Sequence, residues 1–503
     1  VTTRELDALG HATAVVGPTG IAQHTDYDAV GRVTSVTDSA GNATSYAYDD
    51  LDRVTAVTDP AGLRSEYRYD VDGQLVGVVD RLGRPTLYER DAAGQVTEVT
   101  DPAGTTAYAY DAAGNVTSVT DAVGRPMTYA YDDADQLVEA RDAAGHRTTY
   151  AYDALGDVTM VTDPNGHTTR TTWDAAGRRT SVTDALGATT MFTYDAAGQL
   201  TAATDALGHR TIYAYEEHGQ LASVTDPLGA TTRYTYDELG LLASVTDARG
   251  KVTRYESDAA GQPAQMTDAT GSRTRYEYDD RGLLSRVVMP SGAAIAYAYD
   301  ARGDRVQQSS ASDVVRFEYD AEQRMIAATN AGGTTGWTYT PSGQLASQID
   351  PQGRELTYAY DAAGALTGLT VPGGQHIAYD RDPVGRVSRM ASAWGAADYA
   401  YDDGGNLTGI SRSNGVSTRY DYDADDRVIG ITSTTPVPSG AVAAPAAPVP
   451  VRTGGLCPVI TSKNAPELRA ANVDKPGCVK PSSYLARRSV PSDTGFLAQG
   501  ASL

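Results

Sequence analysis

An aspartate returns every 20 or 21 residues along most of this chain, and that spacing limits the possible folds more than any single motif does. The anchors run from Asp7 through Asp28, Asp49 and Asp70 to Asp402 and Asp423, with Glu216 and Thr340 as substitutes. Of the twenty intervals, sixteen are 21 residues long and four are 20. Units this short and this regular cannot bury a core singly, so they must stack on their neighbours as one array.

One copy shows what the unit is. Tyr194-Asp195-Ala196-Ala197-Gly198 is followed ten residues later by Asp205-Ala206-Leu207-Gly208, so each repeat holds two Asp-x-x-Gly steps. Asp suits the first position of a type I turn, where its carboxylate accepts backbone N–H groups, and Gly suits the left-handed position that closes it. The same roles fall to Asp49, to Asp59 with Gly62, to Asp111 with Gly114 and to Asp237 with Gly240. Proline follows the aspartate at Pro60, Pro102, Pro164, Pro227 and Pro351, where its fixed φ belongs.

Between the turns lie short runs rich in Thr, Val and Tyr, which predict strands. Tyr46 and Tyr48, Tyr129 and Tyr131, Tyr234 and Tyr236, Tyr297 and Tyr299, and Tyr358 and Tyr360 each fall two apart and so share a strand face. The partner strand, as in Val33-Thr34-Ser35-Val36-Thr37, is only weakly one-sided, because apolar residues three apart point to opposite faces of a regular strand. The expectation is an all-β fold: an antiparallel ribbon that stacks tyrosine beside tyrosine along its length. A strip of about forty strands, about 190 Å long at the usual spacing, must coil as its twist accumulates.

The pattern Tyr-x-Tyr-Asp-x-x-Gly-x-(Leu/Val)-Thr-x-Val-Thr-Asp-x-x-Gly resembles the YD repeats of the RHS family, over about Leu6 to Ile431. That family includes bacterial Rhs polymorphic toxins, the cocoon-forming component of insecticidal Tc toxins and the animal teneurins. The resemblance implies a ribbon spiralling into a hollow shell around a C-terminal effector toxin, with a secretion-system spike component as a further partner. It also implies a secreted or cell-surface protein. The domain expectation is a repeat array over 1–431, a Pro/Ala/Ser/Thr-rich linker over 432–450 and an irregular tail over 451–503. The Pro/Asp-Pro-x-Gly-Leu region that ends the shell in RHS proteins is missing, which puts self-cleavage and a toxin domain in doubt and favours a truncated or frame-shifted tail.

Charge narrows the partners. The formal net charge is −23, and the residues from Gly430 onward carry seven Lys or Arg against three Asp or Glu, so the array alone stands at −27. Nucleic acid is excluded as a partner, because phosphate binding draws on clustered Lys and Arg. Turn chemistry that repeats an aspartate twice per unit accounts for the acidity. Cys457 and Cys478 are the two cysteines; they could form one bridge in an oxidising compartment, although two free thiols are the plainer expectation. No cleavable leader is visible at Val1 and the array opens in mid-repeat, which suggests a fragment or an export route encoded elsewhere. No stretch is apolar enough for a spanning helix.

Neither a catalytic constellation nor a cofactor site is expected. His11, His146, His167, His209 and His376 fall just after turn glycines, at a slot that elsewhere holds Asn, Arg, Ala or Thr, and read as tolerated surface variation. Asp421, Asp423 and Asp425 have the alternate spacing of a calcium loop, but Asp426 and Thr432 stand where Gly and Glu would be needed, so no metal site is expected. Two functions from different classes stay open. One is a non-catalytic toxin shell; the other is a surface binding module whose tyrosines, flanked by carboxylates, stack on glycans.

Overall fold

A computed structural model describes residues 2–17 and 22–435. The chain divides into two units, residues 1–446 and 447–503, and the second lies wholly outside the described residues. Most of the expected linker and all of the tail, with Cys457 and Cys478, lie outside them as well.

The array is all β: 42 strands form one antiparallel sheet, from β1 (Thr3–Leu6) to β42 (Val428–Thr434). Each strand pairs with the next in sequence, so the sheet is an uninterrupted meander. Among the described residues β1 pairs only with β2 (Ala12–Val16) and β42 only with β41 (Ser417–Tyr422), and the sheet does not close into a barrel. The final strand runs through the expected boundary at Ile431 to Thr434.

Backbone and carboxylate bonds close the turns. Asp28 N donates to Arg32 O at 2.9 Å and Gly31 N to Asp28 O at 3.1 Å, while Asp28 Oδ1 accepts the N–H groups of Val30 and Arg32 at 3.0 and 2.9 Å. The turn glycines are left-handed, with Gly198 at φ 85° and Gly208 at φ 83°. The four 20-residue intervals have a structural cause. Each contains one shortened turn, such as those joining Asp101 to Gly104, Asn330 to Gly333 and Ser392 to Gly395.

The ribbon has two chemically different edges. Turns that follow Tyr-Asp lie along one, the tyrosine edge; turns that follow Thr-Asp lie along the other, the threonine edge. Every hairpin closing at the tyrosine edge carries a register shift. Between β5 (Ala43–Tyr48) and β6 (Val54–Thr58), Tyr46 faces Val57 and Ala47 faces Ala56, yet Tyr48 faces Val54. One extra residue, Thr55, is absorbed as a bulge. This corrects the expectation of a weakly one-sided strand: the bulge restores phase, so Val54 and Val57 both join the tyrosine face although they lie three apart. The opposite face carries small and charged residues such as Ser45, Ala47, Glu66 and Arg68.

Tyrosine does not lie beside tyrosine, which is a second correction. Tyrosine-bearing strands are two ladder steps apart, about 9.6 Å, and the register interposes valines: Tyr46 faces Val57 and Tyr67 faces Val78. A single layer covers neither face fully. Among the described residues no large side chain is fully buried, and the most buried apolar positions are mainly alanines, such as Ala14, Ala56 and Ala202.

The ribbon coils back on itself. The turn after β4 (Val33–Thr37) meets the turn after β27 (Arg273–Tyr278), where Ser39 Oγ donates to Asp280 O. The turn after β16 (Val158–Thr162) meets that after β39 (Gly395–Tyr401), and the turn after β18 (Arg179–Thr183) meets that after β41. The interval is 23 strands each time. Because strand direction alternates, an odd interval brings opposite edges together: the threonine edge of one winding lies against the tyrosine edge of the next.

Candidate functional site

Two features of the array combine side chains into recurring geometry: the clamp between consecutive repeats and the seam between windings. The clamp starts from the second tyrosine of each pair. Most hairpins closing at the threonine edge pair over three residues, as from Ser223↔Arg233 to Thr225↔Thr231, and their strands then part. In that gap Tyr236 Oη donates to Leu221 O at 2.9 Å. The same bond recurs at Tyr48 to Val33 O (2.7 Å), Tyr131 to Val116 O (2.9 Å), Tyr299 to Leu284 O (2.8 Å) and Tyr360 to Leu345 O (2.9 Å).

Three replacements at this position preserve the donor. Trp173 Nε1 reaches Val158 O, and the guanidinium groups of Arg90 and Arg381 reach Leu75 O and Leu366 O. The sequence held this signal, since the residue before the anchor aspartate is almost always a hydrogen-bond donor. Burial raises the pKa of Tyr48, Tyr236 and Tyr299 above the usual phenol value, which keeps the hydroxyls protonated as donors. Tyr236→Phe is expected to cost about 0.5–1.5 kcal/mol, because it leaves the Leu221 carbonyl unpaired. Thermal melting of the variant beside Tyr234→Phe tests this; equal losses would show that the hydroxyl bond is not what matters.

The first tyrosines, Tyr46, Tyr129, Tyr234, Tyr297 and Tyr358, pack against valine, alanine, glutamine or leucine across the strand. With the second tyrosine's hydroxyl bonded to backbone, a sugar-binding reading loses that group as a polar contact.

At the tyrosine edge the slot after the turn glycine completes the clamp, so His11, which stacks on Tyr27 of the next repeat, is more than surface variation. Arg32 and Arg53 pair through Nε with their turn aspartates at 2.7 and 2.8 Å, and their guanidinium groups lie 4.8 and 4.6 Å from the ring centres of Tyr48 and Tyr69 in the next repeat. Gln199 and Gln262 at the same slot donate to Gly219 O and Gly282 O. His11 bonds its turn aspartate through Nδ1 at 2.9 Å; His146 and His209 do the same at 2.7 and 2.9 Å, but after threonine-edge turns and so outside the clamp. His376 instead approaches Thr370 Oγ1 at 3.3 Å.

The seam is built from turns. Arg81 N donates to Glu322 Oε1 at 3.1 Å, Arg84 Nη1 to Pro341 O at 2.7 Å, Gly404 N to Asn165 Oδ1 at 2.9 Å and Ala185 N to Asp425 Oδ1 at 3.0 Å. His146 Nε2 lies 3.6 Å from Asp403 Oδ1. Gly385 and Gly404 admit the side chains of Arg125 and Asn165 where a Cβ would collide with them. Of the calcium-like aspartates, Asp421 pairs with Arg419, Asp423 with Arg427, and Asp425 with Arg427 and the seam. They do not converge on one point.

The family described as RHS Repeat matches thirteen segments, from residues 27–64 to residues 401–440, with residues 377–400 the longest unmatched gap between them. No curated protein matches the chain. A crystal structure of TcdB2-TccC3 is similar in fold, at TM-score 0.59 and 15% identity over 87% of this chain and 31% of that one. A structure of the Photorhabdus luminescens Tc holotoxin pore aligns at TM-score 0.44 and 14% identity, covering 85% of this chain and 29% of that one. The chain therefore spans about a third of the length of the solved structures it resembles.

Proposed function

The chain belongs to the RHS repeat family, and from that membership we propose that it forms part of the wall of a toxin container. In this reading the array is non-catalytic, secreted or surface-borne, and encloses an effector polypeptide. A secretion-system spike component would be its delivery partner. The observation that carries the reading is the seam. A ribbon whose opposite edges meet in steady register, each threonine-edge turn lying between the tyrosine-edge turns 23 and 25 strands further on, encircles a space, whereas a sheet built to display one face to glycans has no need to register one winding on the next. At about 4.8 Å per strand the winding has a circumference of about 110 Å and a diameter on the order of 35 Å. Polar bonds between turns, such as Ser39 to Asp280 and Asn165 to Gly404, join one winding to the next and let the wall run on in a single layer.

Negative-stain electron microscopy of the purified chain should show rings or short hollow cylinders of that width. Flat or extended ribbons would count against the winding. For enclosure, limited proteolysis of the intact natural protein followed by mass spectrometry should find the effector segment protected while the array is folded. An effector digested as fast as a free peptide, with the array still intact, would sink the container reading.

A further inference from the structure

We propose that Asp163, His167 and Asp426 form a binding site for a divalent transition-metal ion of the zinc or cobalt kind, clamped across the seam between windings. Asp163 and His167 begin and follow one threonine-edge turn of the first winding; Asp426 closes a tyrosine-edge turn of the second. One ligand atom from each lies within 4.8 Å of the others. His167 Nδ1 stands 3.3 Å from Asp163 Oδ2 and 3.8 Å from Asp426 Oδ1.

A comparison inside the chain sets this site apart from an ordinary turn. His11, His146 and His209 follow turns of the same Asp-x-x-Gly form, and each closes a hydrogen bond of 2.7 to 2.9 Å to its own aspartate. At His167 the contact is opened, and Nδ1 is a buried atom with no hydrogen-bond partner. A buried ring nitrogen left unpaired between two carboxylates is unfavourable unless something between them bonds to all three.

The second observation is the residue that completes the set. Asp426 occupies the glycine slot of its turn at φ 58°, as Asp52 and Asp135 do in other copies, and its carboxylate stands 3.8 Å from His167 Nδ1 across the seam. Its Oδ1 accepts Asn406 Nδ2 at 2.7 Å, which orients the carboxylate while leaving its other lone pairs free. A cavity of about 530 Å³ opens beside His167 and Asp426, with Asn165, Asp402 and Tyr422 also in its wall, and gives room for water ligands. One imidazole with two carboxylates is a nitrogen–oxygen donor set suited to zinc and its neighbours rather than to calcium or magnesium, which take oxygen only. The two carboxylate charges balance a dication.

The test is calorimetric titration of the whole chain with Zn²⁺, Co²⁺ and Ca²⁺ separately, in a Cys457→Ser, Cys478→Ser background that removes the thiols as competing ligands. One equivalent of Zn²⁺ or Co²⁺ is expected to bind, with a visible Co²⁺ absorption band. Affinity should fall at least about tenfold in His167→Ala. It should fall likewise in Asp426→Gly, which installs the residue most other copies carry and so spares the fold. His209→Ala should leave it unchanged. Binding that survives both His167→Ala and Asp426→Gly, binding of Ca²⁺ in preference to Zn²⁺, or no binding of Zn²⁺ and Co²⁺ up to millimolar concentration would each overturn the proposal.

Discussion

Gly198→Val is expected to lower the stability of the array by about 1–3 kcal/mol, because it forces a β-branched residue into a left-handed turn position. Crowding is not the cause. A Cβ at Gly198 would meet only Arg178 Nη1, at an ordinary contact distance of 3.7 Å, so the loss comes from the backbone, whose φ is 85°. The chain supplies its own precedent: the glycine slot is filled elsewhere by Asp52, Asp135, Gln323 and Asp426, all at positive φ and none β-branched. Gly198→Asn should therefore retain most of the stability that Gly198→Val loses. His209→Ala, which removes only an exposed pairing with Asp205, should change the melting midpoint far less. Similar midpoints for the valine and asparagine variants would show that the left-handed turn does not govern stability there.

Acid is expected to unfold the array as a whole. In many repeats the turn aspartate is held below its ordinary pKa. For Asp28 the leading cause is the Arg32 backbone N–H, helped by the Arg32 side chain and the Val30 N–H against a burial penalty. For Asp80 and Asp320 burial works to raise the value, and the side-chain and backbone bonds from Arg84 and Arg324 outweigh it. Asp49, Asp111, Asp174 and Asp205 shift the same way. Each such group binds its proton more readily in the unfolded chain than in the folded one. Its contribution is then fully present above the unfolded value, near pH 4, and is lost as pH falls through the lower folded values. Since turns with such a lowered aspartate are spread along the array, from Asp28 to Asp350, the losses accumulate. The melting midpoint, followed by circular dichroism at the strand minimum, should hold steady above about pH 5 and drop steeply between about pH 4 and pH 2. A midpoint at pH 2.5 equal to that at pH 6 would mean that the carboxylates are not what secures the turns.

Most of the repeat's local structure was legible in the residues, because its causes lie within a few positions of one another. Asp at the start of a turn, Gly at its left-handed close, Pro between them and a run of Thr, Val and Tyr on either side specify a hairpin without reference to anything distant. The four shortened intervals even mark where turns lose a residue. The clamp was half legible: the Tyr, Trp or Arg before nearly every anchor residue shares a donor, but the carbonyl it serves lies on a neighbouring strand about fifteen residues away.

Tertiary structure decided the rest. From sequence alone Val54 and Val57 belong to opposite faces, and only the bulge opposite Tyr48 brings them to the same one, since a side chain's face depends on the ladder as well as on its own spacing. The 23-strand winding is further still from the local code. It sums small twists over some 240 residues, as the pairing of Ser39 with Asp280 shows, so no single repeat contains it. The meeting of Asp163 and His167 with Asp426 follows from that sum. Sequence determined the hairpin and its repetition; which turns face each other across the seam was set by twist and bulge accumulated along the whole ribbon.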